Sequence, residues 1–262
     1  MDIPLYQIDA FAERAFAGNP AAVCPLDRPL DADVMQAIAA ENNLSETAFV
    51  VARGGGEYDL RWFTPATEVD LCGHATLAAA WVLYNIRGET ADAVKFHTRS
   101  GVLSVGRGLD GLLVMDFPAL AAETIDTPPG FADAVGAEPV RFLRAVKNMA
   151  VFESEAEVRA LRPDFGYIAA LDGWGLIVTA PGDDCDCASR FFAPHVGIDE
   201  DPVTGSAHCT IVPYWADRLG KTDIHARQVS ARGGDLYCRH LGPRVEISGR
   251  AVLVISGALT LP

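Results

Sequence analysis

Two stretches of this chain, about half its length apart, spell the same unit. Residues 61–65 read Arg-Trp-Phe-Thr-Pro, followed by Glu68 and by Cys72-Gly73-His74-Ala75. Residues 190–194 read Arg-Phe-Phe-Ala-Pro, followed by Glu200 and by Thr204-Gly205-Ser206-Ala207. From Arg61 to Arg190 the offset is 190 − 61 = 129, and from Glu68 to Glu200 and Gly73 to Gly205 it is 132, so three inserted residues separate two parallel copies. Each copy runs from an aromatic strand through a proline turn and an acidic loop to a glycine and an apolar stretch. A strand–loop–helix unit repeated at this distance constrains the fold to two pseudo-symmetric domains. Two like helix starts are then expected at the domain junction, where small-molecule sites concentrate.

A chain of 262 residues is long enough for two domains of ordinary size, and its half share of hydrophobic residues supplies two cores. The formal net charge of −14 opposes nucleic acid and anionic membrane surfaces as partners. It leaves room for a small anionic metabolite held by local backbone dipoles. No apolar run approaches the roughly 20 residues that cross a bilayer. The N-terminus reads as a strand and lacks the basic start of a signal peptide. The expected location is cytoplasmic, with Cys24, Cys72, Cys185, Cys187, Cys209 and Cys238 reduced.

Strands are predicted at 4–10 and 21–25, separated by the turn signal Gly18-Asn19-Pro20, and a helix at 31–42 closing at Asn42-Asn43. Further strands follow at 47–51 and 58–63. Residues 74–86 are apolar nearly all round, which belongs to a helix inside a core. Strands at 93–98, 102–106 and 111–117 complete a first domain, 1–120. Residues 121–130, rich in small residues and proline, read as a linker. In the second domain, 131–262, strands are predicted near 139–144, 148–152, 175–180, 189–193, 226–231, 235–239, 243–248 and 252–259. The last of these is left free to pack on the first domain. Ser154 and Glu157 form a capping box for a helix at 155–161. The second repeat's helix runs from Gly205 to about Leu219, with a kink expected at Pro213.

The first turn of a helix offers unpaired N–H groups and a positive dipole end, and a glycine lets a ligand approach them. The recurrence of Gly73-His74 and Gly205-Ser206 in one frame points to a ligand site at 73–76 (Gly73, His74, Ala75, Thr76) and 204–207; the alternative is two glycines that merely end loops. A two-thiol racemase would carry a cysteine at each twin position, but Cys72 is matched by Thr204, whose hydroxyl is too weakly acidic to serve. Cys72 then reads as a small buried residue. Glu46, between a helix end and an apolar strand, is the best remaining proton carrier if burial raises its pKa; the alternative is a solvated carboxylate. Asp70 and Asp201 precede the helices and equally suit plain dipole complementarity. His74 is expected to stay neutral at the positive helix end. Cys185-Asp186-Cys187 with His195 lacks structural-zinc spacing. No Walker sequence or Gly-x-Gly-x-x-Gly follows a strand.

Together, NNLSETAFV, EVDLCGHATLAAAWVL, RFFAP and EDPVTGSAHCTIVPYWA resemble the PhzF family of phenazine-biosynthesis-like isomerases, relatives of diaminopimelate epimerase. The likeness runs from IDAFAERAFAGNPAAV to SARGGDLYCR and VEISGRAV, nearly the whole chain. The resemblance implies an α+β fold of two similar domains, each a curled, mostly antiparallel sheet around a central apolar helix. It also implies a cleft site, a homodimer and no metal or organic cofactor. It carries proton transfer to Glu46, and substrate positioning with support of that transfer to His74, Asp201 and Ser206, with Gly73 supplying backbone donors. The expected function is a cofactor-independent isomerase acting on a small carboxylate-bearing metabolite. The rivals are an epimerase or racemase of a small chiral acid, and a homologue that binds without turnover.

Overall fold

The computed structural model describes residues 1–261. In chain order the elements are β1 (Asp2–Ala10), β2 (Asn19–Leu26), α1 (Ala32–Asn42), β3 (Glu46–Gly54), β4 (Glu57–Phe63), β5 (Glu68–Val69), α2 (Gly73–Asn85), β6 (Ala93–Thr98), β7 (Gly101–Arg107) and β8 (Leu113–Pro118). There follow β9 (Glu123–Ile125), α3 (Phe131–Val135), β10 (Arg141–Arg144), β11 (Asn148–Val151), α4 (Glu155–Ala160), α5 (Phe165–Ala169), β12 (Leu176–Pro181), β13 (Cys187–Ala193), β14 (Ile198–Asp201), α6 (Gly205–Leu219), β15 (Asp223–Gln228), β16 (Gly234–Leu241), β17 (Arg244–Gly249) and β18 (Ala251–Thr260). The chain divides into two compact units. One is Met1–Asp116 with the segment from Ser248; the other is Phe117–Ile247.

The two units share one wiring. In the first, β2 runs parallel to β3, β3 antiparallel to β4, and β4 pairs with both β5 and β6. In the second, β11 runs parallel to β12, β12 antiparallel to β13, and β13 pairs with both β14 and β15. The repeated sequence unit holds the same two contacts in each. Arg61 grips Glu68 with two bonds of 2.7 and 2.8 Å and lies over the Phe63 ring at 5.1 Å. Arg190 grips Glu200 at 2.8 and 2.9 Å and lies over Phe192 at 4.9 Å. Planar guanidinium and carboxylate match as a fork, and the ring face attracts the cation, so these residue types recur together. The short 3-10 turn Pro194–Val196 lies between β13 and β14, where the offset between the copies grows by three.

Helix α2 buries ten of its thirteen residues, as its all-round apolar sequence requires. Helix α6 runs through Pro213 without interruption. Proline withholds the N–H that Cys209 O would accept one turn earlier. The Leu120 N–H takes that carbonyl instead, at 2.9 Å. Helix α1 ends where expected, with Asn43 in the left-handed region at φ 48°.

Two parts of the expected domain layout need correction. Residues 121–130 are not a bare linker: β9 pairs antiparallel with β10, with Ile125 opposite Phe142. An edge strand of three residues needs only an extended backbone, so composition does not reveal it. The unit boundary falls at Asp116/Phe117 rather than 120/131. Strand β18 belongs to the first unit, a placement the sequence left open. It pairs antiparallel with β1 from Asp2↔Thr260 to Ala10↔Ala251. Among the described residues no helix is long and apolar enough to cross a membrane.

Candidate active site

Within the first unit the structure brings Glu46 and the start of α2 together. Glu46 is the first residue of β3 and His74 the second of α2; both are buried. Glu46 Oε2 and His74 Nε2 lie 3.0 Å apart. Neither atom makes a hydrogen bond of straight geometry among the described residues, so the contact is one of charge rather than an aligned N–H···O bond. Cys72, the residue before α2, gives it no side-chain cap, which leaves the first-turn amides of Gly73, His74 and Ala75 to other partners.

Asn19 sits on the other side of the ring, with Nδ2 3.1 Å from His74 Nδ1. Ser45 donates its hydroxyl to Asn19 Oδ1 at 3.4 Å, which turns the amide nitrogen toward the imidazole. A turned amide would present Oδ1 to an imidazolium, so this residue can serve either protonation state. Gly18 delivers Asn19 from a φ of +64°, and a Cβ there would stand 2.1 Å from Ala10 O. Cys72 Sγ lies 3.5 Å from the same Nδ1.

Burial opposes a charge on His74, but Cys72 and Glu46 more than offset it and hold the imidazole well above its ordinary pKa. The Cys72 thiol is itself pushed up to about 11, by burial first and Glu46 second. Of the two neighbours that raise the imidazole, Cys72 acts more strongly and Glu46 second. The expectation of a neutral His74 is thereby corrected. A carboxylate at 3.0 Å outweighs a helix terminus worth about half a charge.

Within the second unit, Asp201, Thr204, Gly205 and Ser206 gather with Gln228, which the sequence did not suggest for a site. The Thr204 hydroxyl donates to Asp201 Oδ2. Gln228, fully buried on β15, accepts from Thr204 N at 2.8 Å and donates to Asp201 O at 2.6 Å. Ser206 is half-buried at the second position of α6, and α6 also lacks a side-chain cap. Gln228 lies in a strand of ordinary composition, so nothing in the sequence marks it. Asn19 carried a signal, in Gly18-Asn19-Pro20, which reads only as a turn.

Twin positions show what the duplication kept. Thr76 and His208, 132 residues apart, each bond back to the carbonyl of the residue that precedes the helix. Thr76 donates its hydroxyl to Cys72 O, and His208 Nδ1–H donates to Thr204 O at 2.8 Å. His208 is fully buried and its pKa falls to about 4, because burial penalises the cation more than the carbonyl contact favours it. Glu46 has no such twin. Thr47 stands opposite Phe63 and Leu176 opposite Phe192, so Gly175 occupies the equivalent place. Its φ is +109°, and a Cβ there would stand 2.7 Å from Phe192 O.

A cavity of about 530 Å³ elsewhere in the first unit is lined by Leu26, Met35, Phe49, Arg61, His97 and Arg99 among others, and by neither Glu46 nor His74. Its cations are already committed: Arg61 and Arg99 to Glu68, and His97 to Glu57. The chemistry places the candidate site at Glu46 and His74 rather than at this hollow. They also belong, with Cys72, to the one three-donor cluster of metal-ligand type among the described residues, where the sequence suggested none.

Residues 8–257 match a family model described as phenazine biosynthesis-like protein, PhzC-PhzF. Two proteins of Pseudomonas aeruginosa named as uncharacterized isomerases are each 52% identical to this chain, with both chains covered in full. A human phenazine biosynthesis-like domain-containing protein is 40% identical over 99% of this chain and 100% of its own. The crystal structure of a PhzF-family phenazine biosynthesis protein from Enterococcus faecalis superposes with a TM-score of 0.97 at 46% identity, with both chains covered in full. A hydroxyproline epimerase structure from Agrobacterium vitis, 10% identical over 98% of this chain and 92% of its own, shares the fold at a TM-score of 0.64.

Proposed function

The chain belongs to the PhzC-PhzF phenazine biosynthesis-like family and is an isomerase with that family's epimerase-like α+β fold, and from that premise we propose that Glu46 moves a proton within a small carboxylate-bearing metabolite. The observation that carries this reading is the buried Glu46–His74 pair, 3.0 Å apart and present in only one of the two copies. The Glu46 carboxylate takes a proton from a carbon beside a carbonyl-type group. The C–H bond breaks, an O–H bond forms on Glu46, and the electron pair passes into the activating group as an enolate. Glu46 then returns the proton to a different carbon. His74, held cationic, faces the site while the carboxylate is neutral and stabilises the enolate charge. The uncapped amides of Gly73, His74 and Ala75 supply fixed donors for the same charge, at the start of the turn that Thr76 closes. Positioned proton transfer contributes about 10²–10⁴-fold.

Asp201, Gly205 and Ser206 are assigned substrate-binding roles, with Asp201 supporting the transfer. The Thr204 hydroxyl already orients the Asp201 carboxylate, which supports a directed carboxylate rather than a solvated one, while Gln228 holds the Asp201 backbone carbonyl. A homodimer and turnover without a cofactor complete the reading and rest on the family resemblance; a cytoplasmic setting is proposed from the sequence pattern.

The test incubates the protein with a panel of small unsaturated and 2-substituted carboxylates in deuterium oxide and follows loss of C–H signals by proton NMR. Wild type should exchange one position of its substrate and Glu46→Gln should not. Exchange by Glu46→Gln at the wild-type rate sinks the assignment.

A further inference from the structure

We propose that Lys147, in the second unit, is a binding residue that takes the carboxylate group of the substrate. The duplication points to this lysine. Gly175 stands 175 − 46 = 129 residues after Glu46, the offset that also separates Arg190 from Arg61. In the first unit, β2 places Ala21 beside Glu46. In the second, β11 places Asn148 beside Leu176, and the Asn148 N–H donates to Gly175 O at 3.0 Å, so the residue beside Gly175 is Lys147. Registered neighbours on paired strands project from the same face of a sheet. Lys147 therefore projects from the face that carries the acid in the first unit. One copy sets a carboxylate beside a small residue, and the other sets an ammonium beside a glycine.

The surroundings of Lys147 lack the partner that such a cation needs. Its Nζ lies 5.9 Å from the centre of the Phe191 ring, at the outer reach of a cation–π contact. That ring is also what a Cβ at Gly175 would meet, at 2.8 Å. The titratable side chain that acts on Lys147 is Cys209 of α6. Burial pushes the Cys209 thiol up to about 11, so the sulfur supplies no negative charge at neutral pH. Among the described residues the half-buried Lys147 ammonium forms no ion pair and no hydrogen bond. The chain's other two lysines, Lys95 and Lys221, pair with Glu57 and Asp186. Withdrawing an ammonium from water without a counter-charge is unfavourable, and burial holds the Lys147 pKa below its ordinary value. A bound carboxylate supplies both the charge and the acceptors. An ammonium is a point charge with three donors, and one of them balances a monocarboxylate, whereas a phosphate dianion needs a second cation. The inference rests on the reading of the substrate as a carboxylate-bearing metabolite. Binding is measured without turnover, so it stands or falls apart from the Glu46 exchange experiment.

The three lysines make a direct test. The full chain is made with lysine carrying carbon-13 at Cε and titrated, at constant ionic strength, with sodium crotonate and with sodium benzoate. Crotonamide and benzamide serve as neutral controls. The Lys147 signal is identified by its absence from Lys147→Met, or from Lys147→Arg should Lys147→Met misfold. With at least one of the acids the Lys147 signal of wild type should shift to saturation while Lys95 and Lys221 stay in place, and neither amide should move it. Lys147→Met should bind that acid at least tenfold more weakly in ligand-observed NMR, and Lys147→Arg within about threefold of wild type. No saturable shift with either acid, an equal shift with the amide, a common drift of all three signals, or undiminished affinity in Lys147→Met overturns the assignment.

Discussion

His74 Nε2 faces Glu46 Oε2 at 3.0 Å inside the first unit, and this pair sets the charge of the ring. A group whose folded pKa is raised stabilises the fold below its ordinary value, and that gain is lost as pH rises through the raised one. The His74 contribution is therefore full below about pH 6.5 and is lost as pH rises through the raised value. Histidine NMR should find His74 still charged at neutral pH in wild type. In Glu46→Gln, burial is left to win and the ring should be neutral there. A neutral ring in wild type at pH 7 contradicts the pairing.

Asn19 is a positioning residue for that ring. Asn19→Ala removes one of two partners of a buried Nδ1, Cys72 being the other, and should cost about 1–2 kcal/mol of stability. It should also lower turnover more than it raises KM, because the ring loses its orientation rather than the substrate its contacts. Denaturant unfolding and steady-state kinetics on the same preparation check both.

His208 pulls the other way with pH. Its pKa of about 4 lies below the ordinary value, so the unfolded chain takes up a proton first as the medium is acidified. Stability should fall by about 3 kcal/mol between pH 6.5 and 4 through this residue. The unfolding free energy of His208→Gln should lack that part of the slope. Equal slopes in the two proteins would remove His208 as the cause.

Gly175 marks why Glu46 has no twin in the second unit. A side chain there meets both a positive φ and the Phe192 carbonyl at 2.7 Å. Gly175→Ala should destabilise the second unit by about 3 kcal/mol or more, and Gly175→Glu should unfold it rather than add a second base. Thermal unfolding of the two variants decides.

The twin ion pairs differ in what they leave behind. Arg190 also donates to the carbonyls of Val158 and Leu161, and its side chain is 13% exposed. Arg190→Met should cost about 3 kcal/mol. Arg61→Met strands nothing, because Arg99 also holds Glu68 at 2.7 Å, and should cost under about 1 kcal/mol. Chemical unfolding of the two variants gives the comparison.

The duplication was legible because Arg61 with Glu68 and Arg190 with Glu200 must keep residue type and near-constant spacing to form their forks. Helix α2 was legible because burial on all sides excludes polar residues. Glu46 and His74 were readable as separate candidates, but their contact joins residues 28 positions apart and follows from packing alone. Asn19, 55 positions from His74, looked like a turn residue because it is one as well. Gln228 left no trace, since a buried amide inside a strand has no composition of its own. The charge on His74 was misjudged from local sequence because its deciding partner is not local. The linker failed as a reading for the opposite reason: pairing of β9 requires no particular side chains.

The pairing of β1 with β18 has a consequence for how the protein is made. The β1 edge that receives β18 precedes the other described strands and β18 follows them, and among the described residues β1 otherwise pairs with β2 along Tyr6–Ala10. All strands of the unit Phe117–Ile247 leave the ribosome before β18 does. In chain order the second unit is therefore complete before β18 begins, whereas the first, which holds Glu46 and His74, needs β18 from beyond it.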